Sequence, residues 1–498
     1  TSAAAAQMRE RISKAVSKKL EEQPENEHLQ KQAALIHNAQ ITTIDSFCLF
    51  IIRNNFNEIG LDPGFRVADE GEIKLLEGDV LNDLLEDCHA QGREEFIRFV
   101  ESYSAGGNEK RIEEAILRLY HFSISYPFPE EWLGARRDDY TLTSIEELPQ
   151  KVWFQGALRY MNTVLCECEE RLQRGLEIAS GIGGPEQYRE NLITDLELIE
   201  KLRSTTDYQK LYDLFTYSSF SRLSAKKSDC DPALKEVVKA IRDEVKKNIA
   251  DLKKFLFLIS PEDTFEDMKQ CEGVVKELVS LTLAYKERLD AAKRDKNIVD
   301  FSDMEHFALQ ILLEKDEEGN LIQRETALAF QDYFEEIMID EYQDSNGVQD
   351  AIFTALTMKR NNCFMVGDVK QSIYQFRLAD PGIFLEKYAS FAPVEQAAEG
   401  EGRKVLLSSN FRSGWAVLSA SNDVFRYCMS PAVGGLYYGE EEALNEGIPH
   451  VPLGEPEVEF HALATGEDTY AEEAAYVANR IRELLDGRHM VRQGDQLR

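Results

Sequence analysis

Ile337-Met338-Ile339-Asp340-Glu341-Tyr342-Gln343-Asp344-Ser345-Asn346 ends an apolar run in two adjacent carboxylates, and Gly367-Asp368-Val369-Lys370-Gln371-Ser372-Ile373-Tyr374-Gln375-Phe376-Arg377 follows about one supersecondary unit later. Short apolar runs at Ile337 to Ile339, Cys363 to Val366 and Val405 to Leu407, separated by helical segments, predict a parallel sheet within an α/β fold. Asp340 then stands where such strands end, which is where these sheets bind ligands and where a Mg²⁺-holding aspartate belongs in a phosphoryl-transfer site. Glu341 can orient a water beside it. An acidic turn closing a buried strand is the plain alternative for the pair taken alone; the second motif, at this spacing, favours nucleotide hydrolysis.

Gln371 is an uncharged donor just beyond a strand ending in Gly367-Asp368, suited to feel a γ-phosphate, with a surface amide as the alternative. Tyr374 and Phe376 alternate, so in an extended segment both rings face one side. There they could stack on successive unpaired bases or fill a core, and spacing alone leaves both readings open. Asn410-Phe411-Arg412-Ser413 offers Arg412, whose planar guanidinium suits a phosphate, although most isolated arginines are surface charges. No Gly-x-x-x-x-Gly-Lys-Ser/Thr string, the loop that cradles phosphates, occurs in the 498 residues. The nearest glycine cluster, Ser180-Gly181-Ile182-Gly183-Gly184-Pro185, lacks the Lys and the Ser/Thr and reads as a plain loop.

A chain of this length holds several cores, and a hydrophobic share of 43% marks it as globular. Lys and Arg total 57 against 90 Asp and Glu, a formal net charge of −33, which excludes a protein that coats nucleic acid by charge alone. Any such contact must be local. The eight cysteines show no Cys-x-x-Cys spacing, and Cys166 and Cys168 diverge on a helical stretch. Reduced thiols are the expectation, and the dispersed histidines support no mononuclear metal centre. With no apolar run near ~20 residues and no signal peptide, the reading is a soluble, cytoplasmic protein without a membrane partner.

The chain opens without an initiator Met on the strong helix former Thr1 to Ile12, as though a preceding strand had been removed. Gln40 to Ile44 is a short strand candidate ahead of the amphipathic Phe47 to Phe56. From about 61 to 294 the pattern is helical: Ile112, Ile116 and Leu119 share one face, as do Leu278, Leu281, Tyr285 and Leu289. Residues 1–60 and 295–396 are expected to form one α/β domain interrupted by this all-helical insertion. The Gly/Glu-rich stretch 397–402 is the candidate boundary, and 403–498, with a strand at Val458 to Leu463 and a helix at Tyr470 to Leu485, reads as the start of a second α/β domain.

These motifs, together with Thr42-Thr43-Ile44-Asp45-Ser46-Phe47-Cys48, Leu61-Asp62-Pro63-Gly64-Phe65-Arg66-Val67, Tyr126-Pro127-Phe128-Pro129-Glu130-Glu131-Trp132-Leu133 and Val299-Asp300-Phe301-Ser302-Asp303-Met304, resemble the superfamily 1 helicases of the UvrD/RecB type, most closely the AddA-type subunits of bacterial helicase-nucleases. The resemblance runs over essentially the whole chain, and Asp45 departs from it by standing where related helicases often have His. It implies a RecA-like motor fold, ATP and Mg²⁺ as cofactors, 3′ to 5′ movement on single-stranded DNA, and an AddB-type partner in processing double-strand breaks. Carried over by position, Asp340 would hold Mg²⁺, Glu341 would activate water, and Gln371 and Arg412 would sense the γ-phosphate. Thr1, Ser2, Thr43, Tyr374, Phe376 and Arg377 would line the DNA track. The insertion would lean on the duplex ahead of the motor. The chain is then an internal piece of a longer protein, with a phosphate loop upstream and later motifs and a nuclease domain downstream, and inactive alone. A helicase-like scaffold without catalysis is the alternative, favoured by the missing phosphate loop.

Overall fold

Two strands far apart in sequence, Arg66–Val67 and Ile298–Val299, pair in parallel, with Arg66 opposite Ile298 and Val67 opposite Val299. The chain between them carries helices and no strand among the described residues. The computed structural model describes residues 2–103, 109–226, 229–316, 318–358, 361–431, 435–447, 457–466, 468–487, 492–493 and 496–497. The architecture is mostly helical with short parallel strand pairs, not the extended sheet the apolar runs suggested. It divides into two compact units, one of residues 1–367 and 372–380, the other of residues 368–371 and 381–498.

In the first unit, helices Glu70–Gln91, Glu94–Tyr103 and Lys110–Ser123 pack on the long helix Pro261–Asp295. Ile112, Ile116 and Tyr120 meet Leu281, Tyr285 and Leu289, the facing stripes that helical spacing predicts, and Tyr120 sits edge-on to Tyr285 at 5.2 Å. A second bundle centres on Val152–Ser180 between Arg189–Ser204 and Pro232–Leu256. Leu165, Cys168 and Leu172 pack there with Leu192 and Ile199 and with Val238 and Val245. Arg242 falls on the same apolar stripe and is 1% exposed; it pairs with the equally buried Asp195 at 2.5 and 3.1 Å. The glycine cluster after Ser180 is a turn. Gly184 is needed there because a Cβ would lie 2.0 Å from the Ile178 carbonyl oxygen.

The remaining core of this unit joins helices Ile44–Asn55, Phe301–Leu312, Glu325–Tyr333 and Gly347–Thr357 through Ile51, Ile52, Ala308, Leu312, Val348 and Ile352. Asp300 and Asp303 cap the start of Phe301–Leu312 reciprocally, and buried Lys293 pairs with both, at 3.1 and 2.6 Å. The strand expected over Gln40 to Ile44 does not form. Thr43 instead ends its helix-preceding link as an N-cap, its hydroxyl accepting from the Ser46 N–H at 3.4 Å, so Ile44 already belongs to the helix.

In the second unit the expected strand Val405 to Leu407 is also displaced. Pairing falls on Arg403–Lys404 with Ala392–Pro393 and on Ser409–Asn410 with Asn445–Glu446, both parallel, while Leu407 is 80% exposed. The Gly/Glu-rich stretch 397–402 links the first of these pairs. Asn422, on helix Trp415–Cys428, ties the unit together: its amide donates to the Leu444 carbonyl at 3.0 Å, and its oxygen accepts from Leu444 N–H at 2.9 Å and from the Tyr438 hydroxyl at 2.6 Å. Of the segment Val458 to Leu463, expected as a strand, no part pairs among the described residues; the helix that follows is Thr469–Asp486. Among the described residues no helix is long and apolar enough to cross a membrane.

Candidate nucleotide site

Strands Ile337–Ile339 and Cys363–Met365 lie parallel, Ile337 opposite Cys363 and Ile339 opposite Met365. Beyond the strand ends the ladder continues: Val366 N–H donates to the Ile339 carbonyl at 2.8 Å, and Tyr342 N–H to the Val366 carbonyl at 2.9 Å. Between these two bonds the chain must turn, and Glu341 takes the left-handed conformation, φ 53° and ψ 41°. For a residue other than glycine this costs about 1 to 3 kcal/mol and persists only where its surroundings impose it. They do so here through the next two residues. Tyr342 is buried and its hydroxyl donates to Asp350; Gln343, 1% exposed, donates its amide to Glu341 Oε2 at 2.7 Å. The turn leaves Asp340 and Glu341 exposed side by side at the end of the strand.

Asp340 Oδ1 accepts the Glu341 N–H at 3.1 Å, which orients its carboxylate. A carboxylate oxygen at a strand end fits a hard divalent cation, and Mg²⁺ binds commonly through one or two carboxylates plus substrate phosphates. No cluster of three or more His, Cys, Asp or Glu gathers among the described residues, and such a phosphate-bridged site requires none. Asp344, three residues past Glu341, has a buried Oδ1 without a hydrogen-bond partner, and burial, with the Glu341 charge added, pushes its carboxyl above the usual range.

In the second unit Gln371 is exposed, but its amide is held: Nε2 donates to Asp368 Oδ2 at 3.0 Å and its N–H to the Asp368 carbonyl at 2.8 Å. Lys370 Nζ pairs with the other carboxylate oxygen at 3.0 Å. Burial pushes the Asp368 carboxyl up, yet the Gln371 and Lys370 hydrogen bonds outweigh it and hold it below the usual range. Asp368 and Lys370 were not singled out by the sequence motif, although Asp-x-Lys-Gln within one turn is the signal that places them together. Arg412 is exposed in an Asx turn, Asn410 Oδ1 accepting both the Arg412 and Ser413 N–H groups at 2.9 Å.

Tyr374 and Phe376 lie in the first unit and are 39% and 76% exposed, so they do not fill a core. Their segment is not extended as the alternation suggested. Tyr374 precedes a 3₁₀ turn, Gln375–Arg377, and the turn itself holds the rings 6.0 Å apart at 44°. Thr43 acts as the helix cap described above. Thr1 lies outside the described residues, as do the side chains of Ser2 and Arg377. The first unit thus contains Asp340, Glu341, Thr43, Tyr374 and Phe376; the second contains Gln371 and Arg412.

Residues 1–392 match the N-terminal domain of UvrD/REP helicases. The chain belongs to the UvrD/REP helicase family. Proteins named as ATP-dependent helicase/nuclease subunits, of the AddA type, are similar to it along most of its length. One from Lachnoclostridium phytofermentans is 46% identical over 463 residues, covering 91% of this chain and 33% of the relative. One from Clostridium perfringens is 41% identical over 466 residues, covering 92% of this chain and 36% of its own length. One from Bacillus pumilus is 38% identical over 507 residues, 98% of this chain and 41% of its own. This UvrD/REP helicase chain therefore spans between a third and two fifths of these relatives.

Proposed function

We propose that this sequence serves an ATP-dependent 3′ to 5′ DNA helicase-nuclease that processes double-strand breaks in the cytoplasm together with an AddB-type partner. The observation that carries the reading is the Asp340-Glu341 turn at the end of a parallel strand pair, held in a costly conformation by Tyr342 and Gln343. Residues 1–60 and 295–396 are assigned to a RecA-like motor domain, 61–294 to its accessory insertion, and 403–498 to the start of a second motor domain.

In this reading Asp340 holds Mg²⁺, which when bound neutralises charge on the phosphates. Glu341 orients and deprotonates the attacking water, and the Gln343 amide keeps its carboxylate from swinging away. Gln371, steadied by Asp368, and Arg412 are assigned to the γ-phosphate on the resemblance to related helicases. Thr1, Ser2, Thr43, Tyr374, Phe376 and Arg377 are assigned to the DNA track.

The exposure of Tyr374 and Phe376 gives the DNA assignment a direct test. Replacing both with Ala in a longer protein that also carries a phosphate loop is expected to weaken single-strand binding by about 2 to 4 kcal/mol, at about 1 to 3 per stacked base with some non-additivity. The melting temperature should hardly move, because little area is buried. A large loss of stability with unchanged affinity rejects the stacking role.

The 498-residue chain itself is expected to show no useful ATP hydrolysis, since no loop in it supplies the β- and γ-phosphate contacts. Steady DNA-stimulated turnover by this chain alone rejects that expectation. A non-catalytic scaffold is the second reading, favoured by the same missing loop. It requires that a longer protein carrying this chain also fail to hydrolyse ATP.

A further inference from the structure

We propose that Glu305 is a positioning residue for ATP hydrolysis, holding the turn that presents Glu341 and joining it to the segment that bears Tyr374 and Phe376. The inference rests on the function proposed above. Glu305 lies on helix Phe301–Leu312 and is 8% exposed. Its Oε2 accepts the Asn346 amide at 3.0 Å and its Oε1 the Gln349 amide at 2.6 Å. Among the described residues no cation pairs with it. Burial pushes its carboxyl up, and the two amides pull in the opposite direction.

A buried carboxylate answered only by neutral amides is an expensive way to close a core, where an apolar residue of similar volume usually serves better. What it supplies is grip, because hydrogen bonds to a charged acceptor are roughly twice as strong as neutral ones. The grip falls on the residues immediately after the hydrolysis turn. Asn346 caps helix Gly347–Thr357, its oxygen accepting the Gln349 N–H at 2.8 Å, so Glu305 fixes both the cap and the residue that it caps.

Two further contacts leave the turn little room to relax. A Cβ on Gly347 would stand 3.3 Å from the Ser125 carbonyl oxygen and from Pro127, so the insertion's Ser125–Pro127 loop closes one side. On the other, the buried Ser345 offers its carbonyl to the Asp380 N–H at 3.0 Å. Asp380 ends the segment that carries Tyr374 and Phe376 within the same unit. Displacement of that segment therefore reaches Ser345, and Glu305 is the anchor against which the turn bearing Glu341 moves.

The test compares Glu305→Ala and Glu305→Gln with Glu341→Gln in a longer protein carrying this chain together with a phosphate loop. ATP hydrolysis is measured with and without saturating oligothymidylate, alongside the KM for ATP and the melting temperature. Glu305→Ala is expected to lower the DNA-stimulated kcat about tenfold or more, since small misplacements of a catalytic group have effects of this order, and to reduce the stimulation ratio. The KM for ATP should stay within about twofold of the parent, the mark of a group acting on the chemical step. Glu305→Gln keeps one acceptor and is expected to recover most of the rate.

Unchanged kcat and stimulation in folded Glu305→Ala overturns the proposal. So does a Glu305→Gln variant that folds normally yet is as slow as Glu305→Ala, or a loss of rate fully accounted for by unfolded protein. If Glu305→Ala is normal while Glu341→Gln is inactive, the positioning role alone fails. If Glu341→Gln is as fast as the parent, or the parent itself does not hydrolyse ATP, the underlying reading fails with it.

Discussion

Glu341→Gln is expected to lower the turnover number for ATP by about 10²- to 10⁴-fold in a longer protein that carries this chain and a phosphate loop, with the KM for ATP nearly unchanged. The substitution keeps the size of the side chain and removes only its ability to take a proton. Its setting makes the loss specific. Glu341 sits in a left-handed turn between two ladder bonds, and the Gln343 amide at 2.7 Å fixes one carboxylate oxygen. The remaining oxygen is the one available to a water. The backbone of the turn is set by the buried Tyr342 and by its N–H bond to the Val366 carbonyl, neither of which the substitution touches. The melting temperature should therefore hold. Steady-state hydrolysis rates at saturating ATP check the first part, and a drop of less than about tenfold removes Glu341 from the role of base.

Asp195→Ala is expected to destabilise the helical bundle of the first unit by about 3 to 5 kcal/mol, because it strands a buried guanidinium. Arg242 and Asp195 are each 1% exposed, and the carboxylate takes both Nε and Nη2 of the arginine. The Ser221 carbonyl, 2.6 Å from Nη2, is what remains to the arginine once Asp195 is gone. It satisfies one donor but neutralises no charge. The instructive comparison removes both partners: Asp195→Leu with Arg242→Met puts apolar side chains among Leu192, Ile199, Val238 and Val245. That pair is expected to be neutral or more stable than the parent by about 1 to 4 kcal/mol, since neither charge then has to be desolvated. Denaturant unfolding followed by circular dichroism checks both. Equal damage from the single and the double variant would show that shape, not charge, governs the site.

The sequence makes the helices legible for a local reason. Ile112 and Ile116, or Leu281, Tyr285 and Leu289, repeat at the helical period, and a helix closes its own backbone hydrogen bonds, so the pattern needs no knowledge of a partner. Strands have no such self-sufficiency. Ile337–Ile339 and Cys363–Met365 were readable and do pair, whereas Val405 to Leu407 and Val458 to Leu463 carry equally apolar runs and do not form strands, because a strand exists only where another supplies its hydrogen bonds. At Gln40 to Ile44 a local signal outweighed the apolar one, the Thr43 cap reaching Ser46.

The candidate site divides in the same way. Motif order and spacing by themselves singled out Asp340, Glu341, Gln371, Tyr374, Phe376 and Arg412, because chemistry of this kind needs those groups on short turns after strands. Only the tertiary structure decided that the two rings are exposed, that Asp368 steadies Gln371, that Gln343 holds Glu341, and that Glu305 grips Asn346 and Gln349 from a helix 41 and 44 residues away in sequence. Exposure and the partners of buried polar groups depend on which distant segments fold against a residue, and no local pattern of side chains encodes that.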